Sequence, residues 1–474
     1  MQNTLWIDVT PLYWHARKQL DGICRVNYEY ARELLSRDFR LAFFRCDAQQ
    51  IVALSPDELK AMGLSAFCGG QLCAAGFRRR DDILSALKSD VKHAVKRGLA
   101  LLPEEIESSA TLALKAGWAL CRFFFRMGKA GVGFMAKTVF PPKDGSDETG
   151  GGSGPQTPFN EGDVVLIIGL LWTIAPYAQF IREQAEKKYS VITVVHDLIP
   201  VLYPEAFSGA IGPQDFDLVV KASSCLCAPS RSAVEDIRRV ASERGLPMPD
   251  VRRLTWGDTP AAMARGEKQQ RPERFADLIP GKFVIYVSSI TFRKNHEMVY
   301  QLWRHLYMEE RDALLPLILV GGCSGELSEA FCRLMHCAPT YPQYLRHEAH
   351  VSDEALAWLY RNCRFTIYPS YYEGWGLPVR ESLLHGKPCL CSDAGSIPEA
   401  GDGLVECLPP FAFYEWKDAL LKYMNDDTLI ALKSRSIQRK MKAVSWRESV
   451  DGFEALLRGG FPGLFPVDRV EKEL

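Results

Sequence analysis

Two glutamates, Glu373 and Glu381, flank a glycine-containing turn, Glu373-Gly-Trp-Gly-Leu-Pro378, that follows an apolar run ending at Tyr368. Gly374 and Gly376 let the backbone approach a ligand, and the free N–H groups of a helix beginning near Pro378 suit an anion. Carboxylates accept hydrogen bonds, so they suit sugar hydroxyls such as a ribose diol. We place Glu381 in the first helical turn, where the helix dipole favours its ionised form. By spacing alone, a turn residue at 373 and a solvated helix-start acid at 381 are the better explanation of the pair.

The elements around this turn alternate between strand and helix in two separate sets. The first set contains strands at 5–10, 164–169 and 190–195, and the second contains strands at 283–287, 315–320, 365–368 and 388–391. Such alternation predicts two doubly wound α/β domains that face each other. Ligands of these folds lie at the carboxyl ends of the strands, which predicts a site in the cleft between the domains.

Breaks in the alternation give the expected domain limits. Residues 1–255 form the N-terminal domain, 256–280 the interdomain connection, and 281–440 the second domain, while 441–474 form a helix returning to the first domain plus a tail. A basic, aromatic-bearing helical insertion is expected at 77–140, followed by a flexible linker at 141–158. The insertion either packs on its own domain or lies on an anionic bilayer surface, and the sequence leaves both readings open.

Composition excludes several classes of protein. The chain has 474 residues, 47% of them hydrophobic and 24% charged, with a net charge of -1. This balance is that of a globular protein and gives no sign of nucleic-acid binding. No run approaches the roughly 20 apolar residues of a membrane-spanning helix. The 14 cysteines include two pairs, Cys225/Cys227 and Cys389/Cys391, in apolar strands, where buried free thiols are expected. With no signal-peptide pattern at Met1, we expect a reducing cytosol.

The turn belongs to a longer block, Tyr368-Pro-Ser-Tyr-Tyr-Glu-Gly-Trp-Gly-Leu-Pro-Val-Arg-Glu381, which resembles the signature of retaining glycosyltransferase family 4. Further segments also resemble this family: Gly386-Lys-Pro388, Ser396-Ile-Pro-Glu399, Tyr286 to His296, Ser352 to Leu356, His196-Asp-Leu-Ile-Pro200, Asp8-Val-Thr-Pro11 and Gly22-Ile-Cys-Arg-Val26. The resemblance touches most of the chain except roughly residues 50–158. It implies the GT-B fold and a hexosyltransferase that uses a nucleotide-sugar donor.

Roles follow from this resemblance, position by position. It implies that Arg293 and Lys294 neutralise the donor diphosphate, as a fixed cation aimed at a leaving group would. It places Glu381 on the nucleotide ribose and His196 near the transferred sugar. It also implies that Glu373 and the amides of Gly374, Trp375, Gly376 and Leu377 contact the sugar or the phosphates, and that Gly22 gives the phosphate close backbone access. Glu373, His196, Lys294 and Arg293 form the expected catalytic group.

One position departs from the family pattern. Ser288-Ser289 stand where many members carry a glycine, often followed by arginine or threonine. Ser289 remains an expected donor-binding residue, but a second phosphate-binding arginine is missing. No Asp-x-Asp metal motif lies near a donor strand, so neither a metal nor a cofactor is expected. No dinucleotide fingerprint follows the first strand, and Gly386-Lys387 is not part of a phosphate-binding P-loop.

The resemblance implies retention of anomeric configuration through an oxocarbenium-like transition state. The segments around Asp8 and Gly22 resemble bacterial mannosyltransferases of polysaccharide biosynthesis, so we expect GDP-mannose as donor and a lipid-linked saccharide as acceptor. The expected location is the cytoplasm, at the inner face of the plasma membrane. Other hexose donors stay open, as do two other classes: a sugar-nucleotide epimerase or phosphorylase of this fold, and a degenerate domain acting as a non-catalytic assembly subunit.

Overall fold

The structure, a computed structural model of the chain, describes most of two α/β domains. The described residues are 3–10, 12, 22–37, 39–47, 50–54, 59, 64, 157–169, 176–204, 212–258, 270–323, 326–337 and 344–464. The predicted helical insertion at 77–140 lies outside them, as does nearly all of the predicted linker at 141–158.

The first domain is built on a seven-stranded sheet. Its strands are β1 (Leu5–Asp8), β2 (Leu41–Asp47), β3 (Gln50–Ala53), β4 (Val164–Ile167), β5 (Ser190–Val194), β6 (Cys225–Ala228) and β7 (Asp250–Arg253). They lie in the order β3-β2-β1-β4-β5-β6-β7, and all neighbours are parallel except the antiparallel pair β2 and β3. The helices described around this sheet are α1 (Gly22–Leu34), α2 (Tyr177–Lys187), α3 (Ile199–Leu202), α4 (Pro213–Ala222) and α5 (Arg231–Glu243).

The second domain is built on a six-stranded, fully parallel sheet. Its strands are β8 (Val284–Val287), β9 (Leu317–Val320), β10 (Leu345–Glu348), β11 (Phe365–Tyr368), β12 (Cys389–Ser392) and β13 (Glu406–Leu408), in the order β10-β9-β8-β11-β12-β13. Its helices are α6 (His296–Glu309), α7 (Glu326–Cys337), α8 (Asp353–Asn362), α9 (Leu377–Leu384), α10 (Ile397–Gly401), α11 (Phe413–Asn425) and α12 (Asp427–Lys440). A last helix, α13 (Trp446–Gly460), ends the described chain.

Continuous apolar runs make these central strands because helices cover both faces of a parallel sheet. Val164–Ile167 and Phe365–Tyr368 are buried at every residue. In both sheets the strand order reverses at one point, between β1 and β4 in the first sheet and between β8 and β11 in the second. Ligands of open α/β sheets bind outside the carboxyl ends of the strands at such a point. The loops after β8 and β11 are therefore the first places to look for a site.

Helix α13 packs on the first domain although it follows the second in sequence. The Tyr30 hydroxyl on α1 lies 2.8 Å from the Ser449 hydroxyl on α13. The Tyr30 ring also meets Trp256, Trp446 and Phe453 edge-on, at centroid distances of 5.2, 6.5 and 6.0 Å. These buried aromatic contacts fix the end of the chain to the first helix.

A buried ion pair lies where the chain passes between the domains. Two guanidinium nitrogens of Arg380 on α9 donate to one carboxylate oxygen of Asp258, and the other Asp258 oxygen accepts from the backbone N–H of Val444 at 2.8 Å. Arg380 also donates to the Lys442 carbonyl at 2.8 Å. Asp258 therefore links helix α9 to both segments in which the chain crosses between the domains, one near Asp258 itself and one near Val444.

The cysteines confirm one prediction and correct another. Cys225, Cys227, Cys389 and Cys391 are buried free thiols, as their strand positions predict. Cys323 and Cys332, by contrast, form a disulfide between the loop after β9 and helix α7, whereas a reducing compartment was expected. Nine residues of separation say nothing about pairing, because only the fold brings the two side chains together. Within the described residues, none of the helices has both the length and the apolar character needed to cross a bilayer.

We predict that Asp258→Asn lowers the melting temperature by several degrees. It leaves the Arg380 guanidinium buried beside a neutral side chain, and breaking a buried pair costs about 3–5 kcal/mol. Asp250→Asn is the matched control, because the Arg252–Asp250 pair has both side chains more than half exposed and contributes about 1 kcal/mol or less. Equal thermal shifts for the two variants, measured by calorimetry, would contradict this account of Asp258.

Candidate active site

A cavity of about 540 Å³ opens between the carboxyl ends of the two sheets. The second domain lines it with the loops after β8, β9, β10 and β11, and the first domain with helix α1 and the segments after β5, β6 and β7. Of the expected site residues, the lining includes His196, Ser289, Arg293, Lys294, Glu373, Gly374, Trp375, Gly376 and Leu377. The fold thus brings nine residues from distant parts of the sequence to one space.

Glu373 is the centre of a buried charge cluster in this cavity. Its Oε1 lies 2.6 Å from a guanidinium nitrogen of Arg293 and 2.5 Å from Lys294 Nζ. Lys294 Nζ also donates to the Tyr368 hydroxyl at 2.7 Å. The side chains of Glu373 and Lys294 are each only 8% exposed. The three residues carry two cations and one carboxylate, a positive balance that suits an anionic ligand and that Asp197, which also lines the cavity, partly offsets.

These contacts shift the ionisation of all three groups. Burial alone would raise the pKa of Glu373, but the charges of Arg293 and Lys294 outweigh it and lower this pKa to about 2. Burial also works against the Arg293 cation, but Glu373 and Asp197 hold the pKa of Arg293 above its ordinary value. Burial and the neighbouring charge of Arg293 lower the pKa of Lys294 to about 8, although Glu373 opposes this shift. Lys294 is consequently the member of the cluster that loses its charge near neutral pH.

The backbone after Glu373 is pressed against the first domain. The Gly374 carbonyl accepts a hydrogen bond from the Ser230 hydroxyl at 2.8 Å. A Cβ atom at position 374 would overlap the His196 carbonyl, so only glycine fits this approach. Ser396 holds the same turn from behind by donating to the carbonyls of Glu373 and Trp375, at 2.9 and 2.5 Å. The turn is therefore fixed from both domains.

His196 takes a position set by the first domain. Its Nε2 lies 2.5 Å from the Ile168 carbonyl, and its ring stacks on Trp256 at 5.6 Å. The imidazole lines the cavity opposite the charge cluster. Trp256, only 2% exposed, lies in the predicted interdomain connection at 256–280, where Phe275 and Leu278 are also buried.

Glu381 requires a correction of its expected local structure. It is the fifth residue of α9, past the first turn, and it accepts from the Tyr360 hydroxyl at 3.0 Å and pairs with Arg25 of the first domain at 3.2 Å. Burial raises the pKa of this carboxyl, against the opposing charge of Arg25, whereas the helix-dipole argument expected its ionised form to be favoured. The structure thus places Glu381 beside the cavity with two partners that the sequence did not predict.

The remaining expected residues occupy more peripheral places. Gly22 is the first residue of α1, and the neighbouring Ile23 and Val26 line the cavity. Ser289 lines it from the loop after β8. The Trp375 indole N–H is buried without a partner, although other atoms of this residue line the cavity. Arg25 and Tyr368 lie inside the quoted motifs, but nothing in the sequence marked Arg25 as the partner of Glu381 or Tyr368 as the partner of Lys294.

Metal-ligand chemistry is found at one place among the described residues. Atoms of Cys323, Cys332 and His347 lie within 4.8 Å of one another, just beyond the cavity-lining Gly321 and Gly322. The two sulfurs are bonded to each other, which uses both thiols. His347 Nε2 lies 2.8 Å from the Gly321 carbonyl. The expectation of no metal stays a prediction.

Two facing Rossmann-like domains with a charged cleft between them define the GT-B class, as the sequence analysis predicted. The chain is similar over 97% of its length to the whole of sucrose-phosphate synthase from Thermosynechococcus elongatus, with a TM-score of 0.55 at 15% identity. Residues 269–437 match the family described as Glycosyl transferases group 1, so this part of the chain is a domain of that family. The match contains Arg293, Lys294, Glu373 and Glu381.

Two curated relatives come from Escherichia coli. The chain is 38% identical to O-antigen chain mannosyltransferase B over 125 residues, which are 26% of this chain and 32% of the relative. It is 24% identical to serotype-specific mannosyltransferase WbdA over 282 residues, which are 57% of this chain and 34% of the relative. The chain thus spans about a third of the length of the curated relatives it matches.

We predict that the affinity for a nucleoside diphosphate falls as pH rises through about 8. Lys294 is charged below its pKa and neutral above it, and only the charged form attracts the diphosphate, so affinity drops about tenfold by about pH 9. Isothermal titration with GDP between about pH 7 and pH 9 measures this. Lys294→Arg should remove the dependence because guanidinium stays protonated. A wild-type affinity that is constant over this range would refute the assignment.

Proposed function

We propose that this chain transfers a hexose from a nucleotide sugar to a saccharide acceptor with retention of configuration, as a member of glycosyltransferase family 4. The observation that carries the proposal is the buried cluster of Arg293, Lys294 and Glu373 at the wall of the cleft. Its setting within a glycosyl transferases group 1 domain supports the same chemistry.

In this proposal the two cations bind the donor diphosphate. Departure of the nucleoside diphosphate concentrates negative charge on the leaving oxygen, and fixed cations in a buried site stabilise that charge without reorganising. Glu373 holds both cations in place before the donor arrives, because its charge offsets part of their mutual repulsion. A bound diphosphate adds negative charge beside Lys294 and so favours its protonated form. Glu373 thus acts through the cations, and support of the sugar's developing positive charge is its second role.

Glu381 would bind the ribose hydroxyls in this arrangement. It lies in the same domain as the cluster and is only 12% exposed, with Arg25 and Tyr360 as its present partners. A ribose diol donating to this carboxylate would share it with Arg25 or displace that side chain. His196 and Trp375 line the cavity, where the transferred sugar would pack against them.

The donor is proposed to be GDP-mannose. Both Escherichia coli relatives are named as mannosyltransferases, one of the O-antigen chain, which supports mannose and a polysaccharide acceptor. The protein is proposed to work in the cytoplasm without a metal or other cofactor, on an acceptor carried by a lipid at the inner face of the plasma membrane. The chemistry of the two cations explains why the diphosphate needs no metal ion in this proposal.

We expect GDP and GDP-mannose to raise the melting temperature more than other nucleotides and their sugars, because binding stabilises the folded state by mass action. Lys294→Ala and Glu381→Ala should each reduce mannosyl transfer about 100-fold or more while the chains stay folded. Lys282→Ala and Glu329→Ala, both exposed in the same domain, are the controls and should retain activity. The proposal would be defeated if none of the nucleotides raised the melting temperature, or if either site variant transferred mannose at the wild-type rate.

Residues 77–140 are proposed to bind an anionic membrane surface, on the basis of their basic and aromatic composition. The full chain should therefore sediment with vesicles containing about one-third phosphatidylglycerol at low salt and be released by high salt. Replacing Arg78, Arg79 and Arg80 with glutamine should weaken this binding several-fold. Absence of sedimentation at low salt would count against the membrane role and leave the transferase proposal untouched.

A further inference from the structure

Three aromatic side chains form an exposed patch on the second domain, here called the aromatic platform: Phe292, Tyr371 and Phe411. Phe411 is 77% exposed and Phe292 53% exposed, while Tyr371, which contacts both, is half-buried. Exposed apolar surface of this kind is costly unless it binds something, so contiguous patches mark interaction sites.

The rings are ordered against one another. Tyr371 and Phe411 stack with centroids 4.8 Å apart and an interplanar angle of 18°, and Phe292 leans on Tyr371 at 5.6 Å. Stacked rings in fixed register present a flat apolar face. This is a geometry for a flat, rigid ligand more than for a mobile hydrocarbon chain.

The platform is joined directly to the charge cluster. Its three rings come from the loops after β8, β11 and β13, at the carboxyl edge of the sheet. The Tyr371 N–H donates to the Arg293 carbonyl at 2.8 Å. The buried Asn295 amide donates to the Pro369 carbonyl at 3.2 Å and to the Pro410 carbonyl at 2.8 Å, which ties all three loops together. Whatever binds the platform is therefore held at a fixed distance from Arg293 and Lys294.

The charge beside the platform selects between ligands. Glu297 is exposed on the first turn of α6, and together with burial its charge raises the pKa of the Tyr371 phenol. This carboxylate beside Tyr371 disfavours an anionic bilayer, which needs lysine or arginine at its surface. It suits hydroxyl groups, which donate hydrogen bonds to carboxylates.

We propose that the aromatic platform binds a pyranose unit of a neutral oligosaccharide acceptor, beside the reaction cleft. The apolar C–H face of the sugar packs on Phe411 and Tyr371, and its hydroxyls reach Glu297. This inference rests on the proposed function, because the bound sugar is the acceptor of the transferred hexose. It assigns acceptor contacts to the second domain, whose other known features serve the donor.

Direct binding of soluble mannotetraose to the full-length protein, with maltotetraose as a second neutral probe, tests this site without any donor present. Saturation-transfer NMR and isothermal titration should show binding that Phe411→Ala and Tyr371→Ala each weaken about tenfold. Leu432→Ala is the matched control, because Leu432 is 58% exposed on a different helix and should bind both sugars like the wild type. The thermal shift with GDP should be the same in all four proteins.

Three results would overturn the inference. They are no binding of either tetrasaccharide by the wild type, equal binding by Phe411→Ala, and a Phe411-dependent association with neutral or anionic vesicles in place of sugar binding. If GDP does not raise the melting temperature of the wild type, that result would instead contradict the proposed transferase function. The two ideas therefore fail by different measurements.

Discussion

The buried salt bridges of Glu373 with Arg293 and Lys294 determine how the cleft is organised. Two adjacent cations in a buried site repel each other and lose their hydration, and the carboxylate between them offsets part of both costs. The three residues come from the loops after β8 and β11, which the strand order places side by side. Tyr368, at the end of β11, adds a hydrogen bond to Lys294. The order of the strands in the sheet thereby determines where the charges of the cavity lie.

Contacts between the domains depend on the same turn. The Gly374 backbone touches the first domain, and other polar pairs surround this contact, including Arg231 N–H with Glu399 at 2.7 Å and Arg253 with Glu399 at 3.3 Å. Tyr372, next to Glu373, donates to Asp236 and packs on Tyr203. Residues on either side of Glu373 thus join the two domains at the cleft.

The features that could be predicted from the sequence are short, local motifs and the strand–helix alternation. The turn from Glu373 to Leu377 and the basic pair at 293–294 were visible because each is a short run with its own composition, and the strand–helix alternation gave the fold. Arg25 with Glu381, Trp256 with His196, and Cys323 with Cys332 were not predicted as pairs. Their members lie far apart in sequence or in unrelated segments, and only tertiary packing brings them into contact. The helix-dipole argument for Glu381 was wrong because burial outweighs a dipole that weakens beyond the first turn.

The chain passes between its two domains near Asp258 and again near Val444, and a hydrogen bond between these two points closes the passage. Two covalent tethers that meet at one place remove most of the ways in which one rigid body can move relative to another. Sliding and twisting stretch at least one tether, whereas rotation about an axis through the meeting point stretches neither. The amplitude of such a rotation grows with distance from the axis. We therefore expect the two domains to move mainly by rotation about Asp258, with the widest displacement at the edge farthest from it.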